Sequence, residues 1–277
     1  MAVGFDWVWA DDGDCVPPDD RGLAYGQGVF ETIRIGPGGP VLEKYHRDRL
    51  LRGCRALGIP FDGADLDQWR AAADARGLLC SPEHGRFLKL TVTAGSGGRG
   101  YRPAATPRAR VITATAPLPQ PPATGETIRV RTCQQCVQSR SERQGLKTLE
   151  RMDQVMASME LASDDFEGLM NDSGGYPLEG TRSNIFVLKG GMLLTPPAER
   201  LAVAGTLREW LGARLPELGL CLVERKLTRA MIHDNGLILG NSVMGVVNAT
   251  ELDGHVLPVS APAARLHEDV ANWLGLV

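Results

Sequence analysis

The 277-residue sequence predicts a protein of mixed α/β (α+β) class with two domains. Some segments alternate apolar and polar residues and are rich in β-branched side chains, as strands are, whereas others place apolar residues at helical spacing. A third observation divides the chain. Residues 116–125, APLPQPPATG, hold four prolines and cannot join a helix or a central strand. We therefore expect domains at 1–116 and 126–277, with a proline-rich linker at 117–125.

The first half combines strands with a helix. Residues 28–35 and 86–94 have the alternation of strands. Residues 43–57 carry apolar side chains at helical spacing, namely Leu50, Leu51, Cys54 and Leu57. This mixture predicts an α/β or α+β domain before the linker.

The second half is also mixed. Residues 128–137 are typical of a strand, 184–188 and 192–195 predict a hairpin around two glycines, and 206–215 predicts a helix. Residues 237–239 and 243–247 predict buried strands around a polar corner. A helix is expected at 148–162, with one apolar stripe made of Leu149, Met152, Val155, Met156 and Met159. Lys147 lies immediately before that expected helix.

The charge and composition of the chain exclude several classes of protein. A net charge of −3 and an isoelectric point near 6.0 give no reason to expect nucleic-acid binding. Residues 1–14 lack the basic and apolar regions of a signal peptide, and no run of about 18 apolar residues predicts a membrane span. The six cysteines are scattered, which indicates reduced thiols. We expect a cytoplasmic enzyme that acts on a small molecule.

A glycine-rich segment needs separate consideration. GSGGRG at 95–100 matches the dinucleotide-binding fingerprint, but Tyr101, Arg102, Pro103 and Pro107 follow and cannot form the helix that this fingerprint requires. Two interpretations remain open: a loop that presents Arg99 and Tyr101 to a ligand, or a plain connection between strands. No metal site is expected, because one CxxC pair (Cys133 and Cys136) and five separated histidines form no ligand set.

Lys147 is a candidate nucleophile. It lies in QGLKTLERMDQV, between a turn and an amphipathic segment, where its amine could be desolvated. A free lysine has a pKa of about 10.4, so Schiff-base chemistry at neutral pH requires burial or neighbouring cations. Without other residues to support it, the pattern fits an ordinary solvated lysine better.

Four separated motifs supply that support. They are DRGLAYGQGVFETIRI at 20–35, GLKTLERMDQV at 145–155, LEGTRSNIFV at 178–187 and NSVMGVVNATELDG at 241–254. In order and spacing, the chain from about residue 20 to 254 resembles the fold-type IV pyridoxal-phosphate enzymes, and within them the 4-amino-4-deoxychorismate lyases. The resemblance implies a cofactor, pyridoxal 5'-phosphate, in the cleft between the two domains, with the Schiff-base lysine in the larger C-terminal domain.

The resemblance also implies roles for particular residues. Lys147 would be the Schiff-base lysine, and Glu179 the carboxylate that keeps the pyridine nitrogen protonated so that the ring withdraws electrons. The cofactor's phosphate would be bound by Arg49, the backbone amides near Thr206 and Leu207, and the hydroxyl of Ser242. Without the resemblance, these last residues would suit a helix surface, a helix N-terminus and a turn.

Within this fold, the resemblance favours a lyase that converts 4-amino-4-deoxychorismate to 4-aminobenzoate and pyruvate in folate biosynthesis. Arg99 and Tyr101 would hold a substrate carboxylate, Tyr25 would line the pocket, and Lys147, helped by Thr32, would transfer protons. Many aminotransferases of this fold have a tyrosine five positions after the lysine, where this chain has Met152. The segment HDNGLILGNS lacks the acidic pattern of many relatives, which puts its local geometry in question.

Two other functions are compatible with the same sequence. A D-amino-acid or branched-chain aminotransferase of the same fold would require an oxo-acid acceptor. A non-catalytic protein that binds pyridoxal phosphate would turn over no substrate. Relatives form homodimers whose subunits help close each other's sites, so we expect a homodimer. We expect neither nucleic acid nor a membrane as a partner.

Overall fold

The computed structural model describes residues 5–81, 85–119, 122, 126–138 and 142–276. The chain divides into two compact units. The first comprises Met1–Pro119 and Leu146–Glu150, and the second comprises Gln120–Gly145 and Arg151–Val277. The expected linker at 117–125 lies mostly outside the described residues.

The first unit contains a five-stranded sheet in the order β1-β5-β4-β2-β3, in which β1 and β5 are parallel and the other neighbours antiparallel. Its strands are β1 (Phe5–Trp9), β2 (Gly28–Gly36), β3 (Gly39–Pro40), β4 (Arg86–Thr93) and β5 (Ala109–Pro117). Its helices are α1 (Arg21–Tyr25), α2 (Glu43–Ala56) and α3 (Gly63–Ala75). The two strands and the helix predicted in this half are confirmed.

Strand β2 has one buried face, which carries Val29, Glu31, Ile33 and Ile35, and one half-buried face, which carries Phe30, Thr32 and Arg34. Ile33 and Ile35 are buried and belong to one core cluster with Leu50 of α2 and Leu66 of α3. Because side chains alternate along a strand, Thr32 lies on the opposite face of β2, where it is half-buried. Because Ile33 and Ile35 pack in the core, the alternation of side chains places Thr32 on the half-buried face of β2.

The segment that carries Lys147 belongs to the first unit, contrary to our assignment of this lysine to the second domain. Its backbone extends along β2: Phe30 N–H donates to the Lys147 carbonyl at 2.9 Å, and Leu149 N–H donates to the Gly28 carbonyl at 2.9 Å. A Cβ on Gly28 would lie 2.5 Å from Leu149 Cδ1, so the absence of a side chain there permits the approach. These two hydrogen bonds tie the lysine to the sheet of the first unit.

The second unit contains two five-stranded sheets, in the orders β11-β10-β9-β12-β13 and β15-β14-β6-β7-β8. The strands of the second sheet are β6 (Arg129–Thr132), β7 (Glu167–Asn171), β8 (Pro177–Gly180), β14 (Glu251–Leu252) and β15 (His255–Val256). Those of the first are β9 (Asn184–Lys189), β10 (Met192–Thr195), β11 (Cys221–Glu224), β12 (Leu237–Asn241) and β13 (Gly245–Ala249). The helices are α4 (Met152–Ser158), α5 (Thr206–Arg214), α6 (Arg229–Asn235) and α7 (Ala261–Leu274).

The hairpin predicted around Gly190 and Gly191 is confirmed as β9 and β10. Both glycines have positive φ angles, 56° and 79°, as a two-residue turn of this kind requires. Helix α5 also matches its prediction closely. Core residues of this unit include Val130, Ile185, Leu194 and Leu239.

Three predicted elements differ from the structure. The strand expected at 128–137 is limited to β6, and the strand expected at 243–247 begins later, at Gly245. The helix expected at 148–162 is limited to α4, because residues 147–149 use their backbone groups to pair with β2. Its apolar stripe does not enter the core: Met152, Val155, Met156 and Met159 are exposed.

No helix in the described ranges combines the length and the apolar character that crossing a bilayer requires.

Candidate active site

The side chain of Lys147 projects from the edge of β2. The residue is half-buried, and its Nζ lies 4.5 Å from the centre of the Phe30 ring, a distance typical of a cation–π contact. Because the carbonyl of Lys147 and the N–H of Leu149 are both hydrogen-bonded to β2, the backbone position from which the Lys147 side chain extends is fixed. The sequence places a primary amine at a defined position in this unit, as a nucleophilic lysine requires.

A buried ionic cluster lies in the same unit. Arg49 of α2 is 5% exposed and donates from Nε to Glu31 Oε1 at 2.8 Å and from Nη2 to Glu31 Oε2 at 2.5 Å. His46, one turn earlier on α2, places Nδ1 2.6 Å from Glu31 Oε2. Arg49 is therefore not a surface arginine, because both members of the pair are inside the protein.

The cluster is held as one negative carboxylate, one guanidinium and a neutral imidazole. Burial by itself raises the pKa of Glu31, but the charge and hydrogen bonds of Arg49, with those of His46, outweigh it and hold the pKa at about 2. Burial lowers the pKa of His46, and the charges of Arg49 and Lys147 lower it further, against the opposing effect of Glu31. The charges of the predicted residues Arg49 and Lys147 thus both lower the pKa of the same buried imidazole.

The predicted substrate residues lie in three parts of the first unit. Thr32 is half-buried on β2 opposite Lys89 of β4. Tyr25 ends α1, and its ring lies 5.4 Å from that of Tyr101, edge to face. Tyr101 is 86% exposed, and Arg99 is also exposed in a tight turn. The structure therefore brings Tyr25 and Tyr101 together.

Glu179, the predicted partner of a pyridine nitrogen, lies on β8 in the second unit and is 3% exposed. Its Oε2 accepts hydrogen bonds from the backbone N–H groups of Ala202 and Val203, at 3.0 and 3.3 Å, and Oε1 accepts one from the Gln154 amide at 3.2 Å. Burial raises its pKa to about 7, against the lowering effect of these donors and of Arg151. A buried carboxylate with neutral donors can accept a cationic hydrogen-bond donor, and such a partner would favour its ionised form.

The predicted phosphate-binding backbone is at the start of α5. Thr206 and Leu207 are the first residues of this helix, and both are buried. Asn184 fixes the approach to the helix, because its Oδ1 accepts from Gly205 N–H and its Nδ2 donates to the Val203 carbonyl, both at 3.0 Å. The N-terminus of a helix presents N–H groups and a positive dipole end, which suit an anion.

Ser242 lies in the corner after β12 and is buried. Asn241 shapes this corner, since its Oδ1 accepts from the N–H groups of Val243 and Met244 at 2.9 Å. A Cβ on Gly240 would be 3.1 Å from the Leu207 side chain, so the corner packs closely on the start of α5. The second unit thus brings Ser242 and the first turn of α5 together.

The described residues contain no group of three or more histidine, cysteine, aspartate or glutamate side chains arranged to hold a metal ion. All six cysteines are free thiols. Burial is the main cause that raises the pKa of Cys133 to about 12, so this thiol is unsuited to act as a nucleophile or a metal ligand.

Sequence reasoning missed several residues that support the site. Arg21, Glu31 and His46 in the first unit, and Asn184 and Asn241 in the second, bond to the predicted residues or to the segments that carry them. All but His46 fall inside the quoted motifs. The signal was therefore present in the motifs, but a buried polar residue reveals its partner only in three dimensions.

Comparison with known proteins identifies the family. The family model for aminotransferase class IV matches residues 28–252, and the chain belongs to this family. A Methanocaldococcus jannaschii protein, provisionally named branched-chain-amino-acid aminotransferase, is 29% identical over 86% of this chain and 83% of its own. The crystal structure of 4-amino-4-deoxychorismate lyase from Pseudomonas aeruginosa is 34% identical, with a TM-score of 0.85 over 93% of this chain and 95% of that one.

A second solved structure shows likeness in fold alone. It is a hypothetical aminotransferase from Mycobacterium tuberculosis in its PLP-bound form, with a TM-score of 0.79 and 24% identity over 94% of this chain and 93% of its own. These likenesses confirm the predicted mixed α/β fold of type IV.

Proposed function

We propose that this protein binds pyridoxal 5'-phosphate and converts 4-amino-4-deoxychorismate to 4-aminobenzoate and pyruvate, as a carbon–oxygen lyase of folate biosynthesis. The position of Lys147 carries the proposal. Its backbone is held on β2 by two hydrogen bonds, and its charge and that of the buried Arg49 both lower the pKa of the His46 imidazole. The likeness to the 4-amino-4-deoxychorismate lyase of P. aeruginosa, at 34% identity, supports the substrate class.

The residues fit the cofactor chemically. Glu179 is buried with a raised pKa, and the Gln154 amide and the backbone N–H groups that donate to it are neutral, which suits a protonated pyridine nitrogen as a further partner. Arg49, the first N–H groups of α5 and the Ser242 hydroxyl would hold the phosphate.

When bound, pyridoxal phosphate supplies an electron sink for negative charge that develops on the carbon bearing the substrate's amine. Lys147 Nζ would hold the cofactor covalently and, once the substrate's amine had taken its place, would be free to remove the proton from that ring carbon. The bond between the ring and the enolpyruvyl oxygen then breaks, and the ring becomes aromatic. Lys147, helped by the Thr32 hydroxyl, returns a proton to the methylene carbon of the enol, which gives pyruvate.

The substrate is held by its carboxylates. Arg99 and Tyr101 bind one carboxylate, and Tyr25, whose ring contacts that of Tyr101, lines the same pocket. The residue five positions after Lys147 is Met152, which is exposed and has no hydroxyl to offer the cofactor's phenolic oxygen. This difference from many aminotransferases favours elimination of the enolpyruvyl group over amino transfer.

Product analysis tests the proposal. The purified protein, loaded with pyridoxal phosphate, is incubated with 4-amino-4-deoxychorismate in the absence of any oxo acid. We expect equal amounts of 4-aminobenzoate and pyruvate. Turnover of D-alanine or a branched-chain amino acid only when an oxo acid is added would instead establish an aminotransferase, the function favoured by the M. jannaschii relative. Bound cofactor without turnover of any of these substrates would indicate a binding protein.

The assembly and location form part of the same proposal. We infer a homodimer, supported by the exposed apolar stripe of α4, which a second copy would remove from water. We also infer that the protein acts in the cytoplasm, a reducing compartment in which six free thiols remain reduced.

A further inference from the structure

The segment 97–101 is an exposed loop that carries two proposed substrate ligands, Arg99 and Tyr101. Within it, Arg99 and Arg102 exchange backbone hydrogen bonds of 3.2 and 3.3 Å, which close a tight turn. A loop that binds substrate with exposed side chains loses affinity when it must first be ordered. A contact that holds the loop in one conformation therefore bears directly on recognition.

The buried side chain of Arg21 provides that contact. The residue is 4% exposed, and its guanidinium donates to three carbonyl oxygens of this one loop. The acceptors are Gly97 at 3.4 Å, Gly100 at 3.1 Å and Tyr101 at 2.7 Å. Nε donates to the Gln27 side chain at 2.6 Å, so donors on all three nitrogens are engaged.

The electrostatics make the loop and the arginine depend on each other. Among the described residues no carboxylate pairs with Arg21, because the adjacent Asp20 is hydrogen-bonded to Arg110 instead. The loop's carbonyl oxygens are thus what compensates the buried charge. If the loop opened, the guanidinium would lose three acceptors at once. The backbone of Arg21 is held in place as well, since its backbone N–H donates to the Gly95 carbonyl at 2.8 Å.

Arg21 also contacts Tyr25. The guanidinium carbon lies 5.0 Å from the centre of the Tyr25 ring, and that ring touches Tyr101 edge to face. One buried side chain therefore bonds to the backbone of Tyr101 and supports the ring of Tyr25. Arg99 lies between the carbonyls of Gly97 and Gly100 that Arg21 holds.

We propose that Arg21 is a positioning residue for substrate recognition, which holds the 97–101 loop so that Arg99, Tyr101 and Tyr25 are ordered before the substrate's carboxylate arrives. The inference rests on the proposed function, because that function assigns the carboxylate to these residues. Arg21 itself touches neither substrate nor cofactor in this role.

Kinetics on two variants test the role. Arg21→Lys retains a charge but cannot offer the arginine's fork of donors, and Arg21→Gln removes the charge. We expect KM for aminodeoxychorismate to rise about tenfold or more in Arg21→Gln and less in Arg21→Lys, with kcat changed less than about twofold, because a residue that orders the binding loop acts on ground and transition states alike. The affinity for pyridoxal phosphate should match that of the wild type. Arg265→Lys, on an exposed arginine of α7, is the control.

Limited proteolysis supplies a readout that does not depend on turnover. Trypsin can cleave after Arg99, and we expect this cut, identified by mass spectrometry, to be faster in both Arg21 variants and unchanged in Arg265→Lys. If Arg21→Gln fails to fold, Gln27→Ala, which removes the acceptor of Arg21 Nε together with the Gln27 amide's bond to the Leu57 carbonyl, should show the same two changes in smaller measure.

The outcomes separate the two proposals. A wild-type protein that forms no 4-aminobenzoate would overturn the proposed function and the substrate role of Arg21 with it. An active wild type whose folded Arg21 variants keep the same KM and the same cleavage rate would overturn the positioning role alone. Variants in which kcat and the affinity for the cofactor fall by as much as KM rises would also overturn the positioning role, since they would reveal a general structural defect.

Discussion

Arg49 and Glu31 form a bidentate ion pair in the interior of the first unit, with side chains 5% and 1% exposed. The pair fixes the plane of the Arg49 guanidinium, because two parallel hydrogen bonds allow little rotation. A guanidinium whose plane is fixed in this way has a constant geometry, which suits the proposed recognition of a phosphate group. The ion pair thus links a buried carboxylate on β2 to the proposed recognition of the cofactor.

Replacing Arg49 by lysine should weaken the binding of the cofactor's phosphate specifically. Lysine keeps the charge but loses the bidentate geometry, so we expect the Kd for pyridoxal phosphate to rise by about tenfold or more, the equivalent of about 1.4 kcal/mol. The Kd for pyridoxal, which lacks the phosphate, should change little. Absorbance titration measures both. Arg52→Lys, on the exposed side of the same helix, is the control, and equal losses for the two ligands would contradict the phosphate role.

The ionisation of Glu31 should make stability depend on acid pH. Its pKa of about 2 in the folded protein lies below its ordinary value of 4.5, so its contribution is present above pH 4.5 and is lost as the pH falls toward 2. The shift corresponds to roughly 3 kcal/mol. Urea unfolding between pH 5.5 and 2.5 should show a steeper loss for the wild type than for Glu31→Gln. Glu268→Gln, an exposed control, should follow the wild type, and so would Glu31→Gln if this account were wrong.

The ionisation of Glu179 should lower the stability of the cofactor-free protein, which is the opposite of the effect of Glu31. Its folded pKa of about 7 lies above the ordinary 4.5, so ionising it costs stability as the pH rises through this interval, in total roughly 3 kcal/mol. Glu179→Gln removes that cost and should become more stable relative to the wild type between pH 5 and 8. The same variant should lose activity by about two orders of magnitude, since a neutral amide does not keep the pyridine nitrogen protonated. An unchanged difference in stability across this pH range would refute the assignment.

The exposed stripe of α4 should contribute to dimerisation. Met159 is the most exposed of its four apolar residues, at 74%, and a glutamate there would place a charge in the proposed interface. We expect Met159→Glu to raise the dimer dissociation constant by about tenfold or more in sedimentation equilibrium. Met192→Glu changes an exposed methionine on β10 and should leave the dimer intact. A monomeric wild type, or an unaltered Met159→Glu dimer, would exclude this interface.

Local patterns predicted much of the fold because they arise within single elements. The alternation at 28–35, the helical spacing at 43–57 and the two glycines at 190 and 191 depend only on neighbours in sequence. The exposure of the apolar stripe at 149–159 could not be predicted from its pattern. An apolar stripe on the surface has the same periodicity as one buried in the core, so the pattern cannot separate the two.

Pairings between residues far apart in the sequence could not be predicted from local patterns. The pairing of Lys147 with β2 joins residues more than one hundred positions apart, and nothing near Lys147 indicates it. The partners of Arg21 and Glu31 were equally hidden, although the motif 20–35 contains both residues. Resemblance identified where chemistry is concentrated, whereas the structure reveals how buried charges such as Arg21 hold the residues that perform it.

The most direct test of the account is to trap the cofactor on the protein. Reduction of the loaded wild type with borohydride, followed by peptide mass spectrometry, should place one pyridoxyl group on Lys147. Lys147→Ala should lose this label, the visible absorbance of the bound cofactor and all formation of 4-aminobenzoate, whereas Lys189→Ala, at an exposed lysine, should keep all three. A yellow and active Lys147→Ala protein, or a label on another lysine, would contradict the central claim.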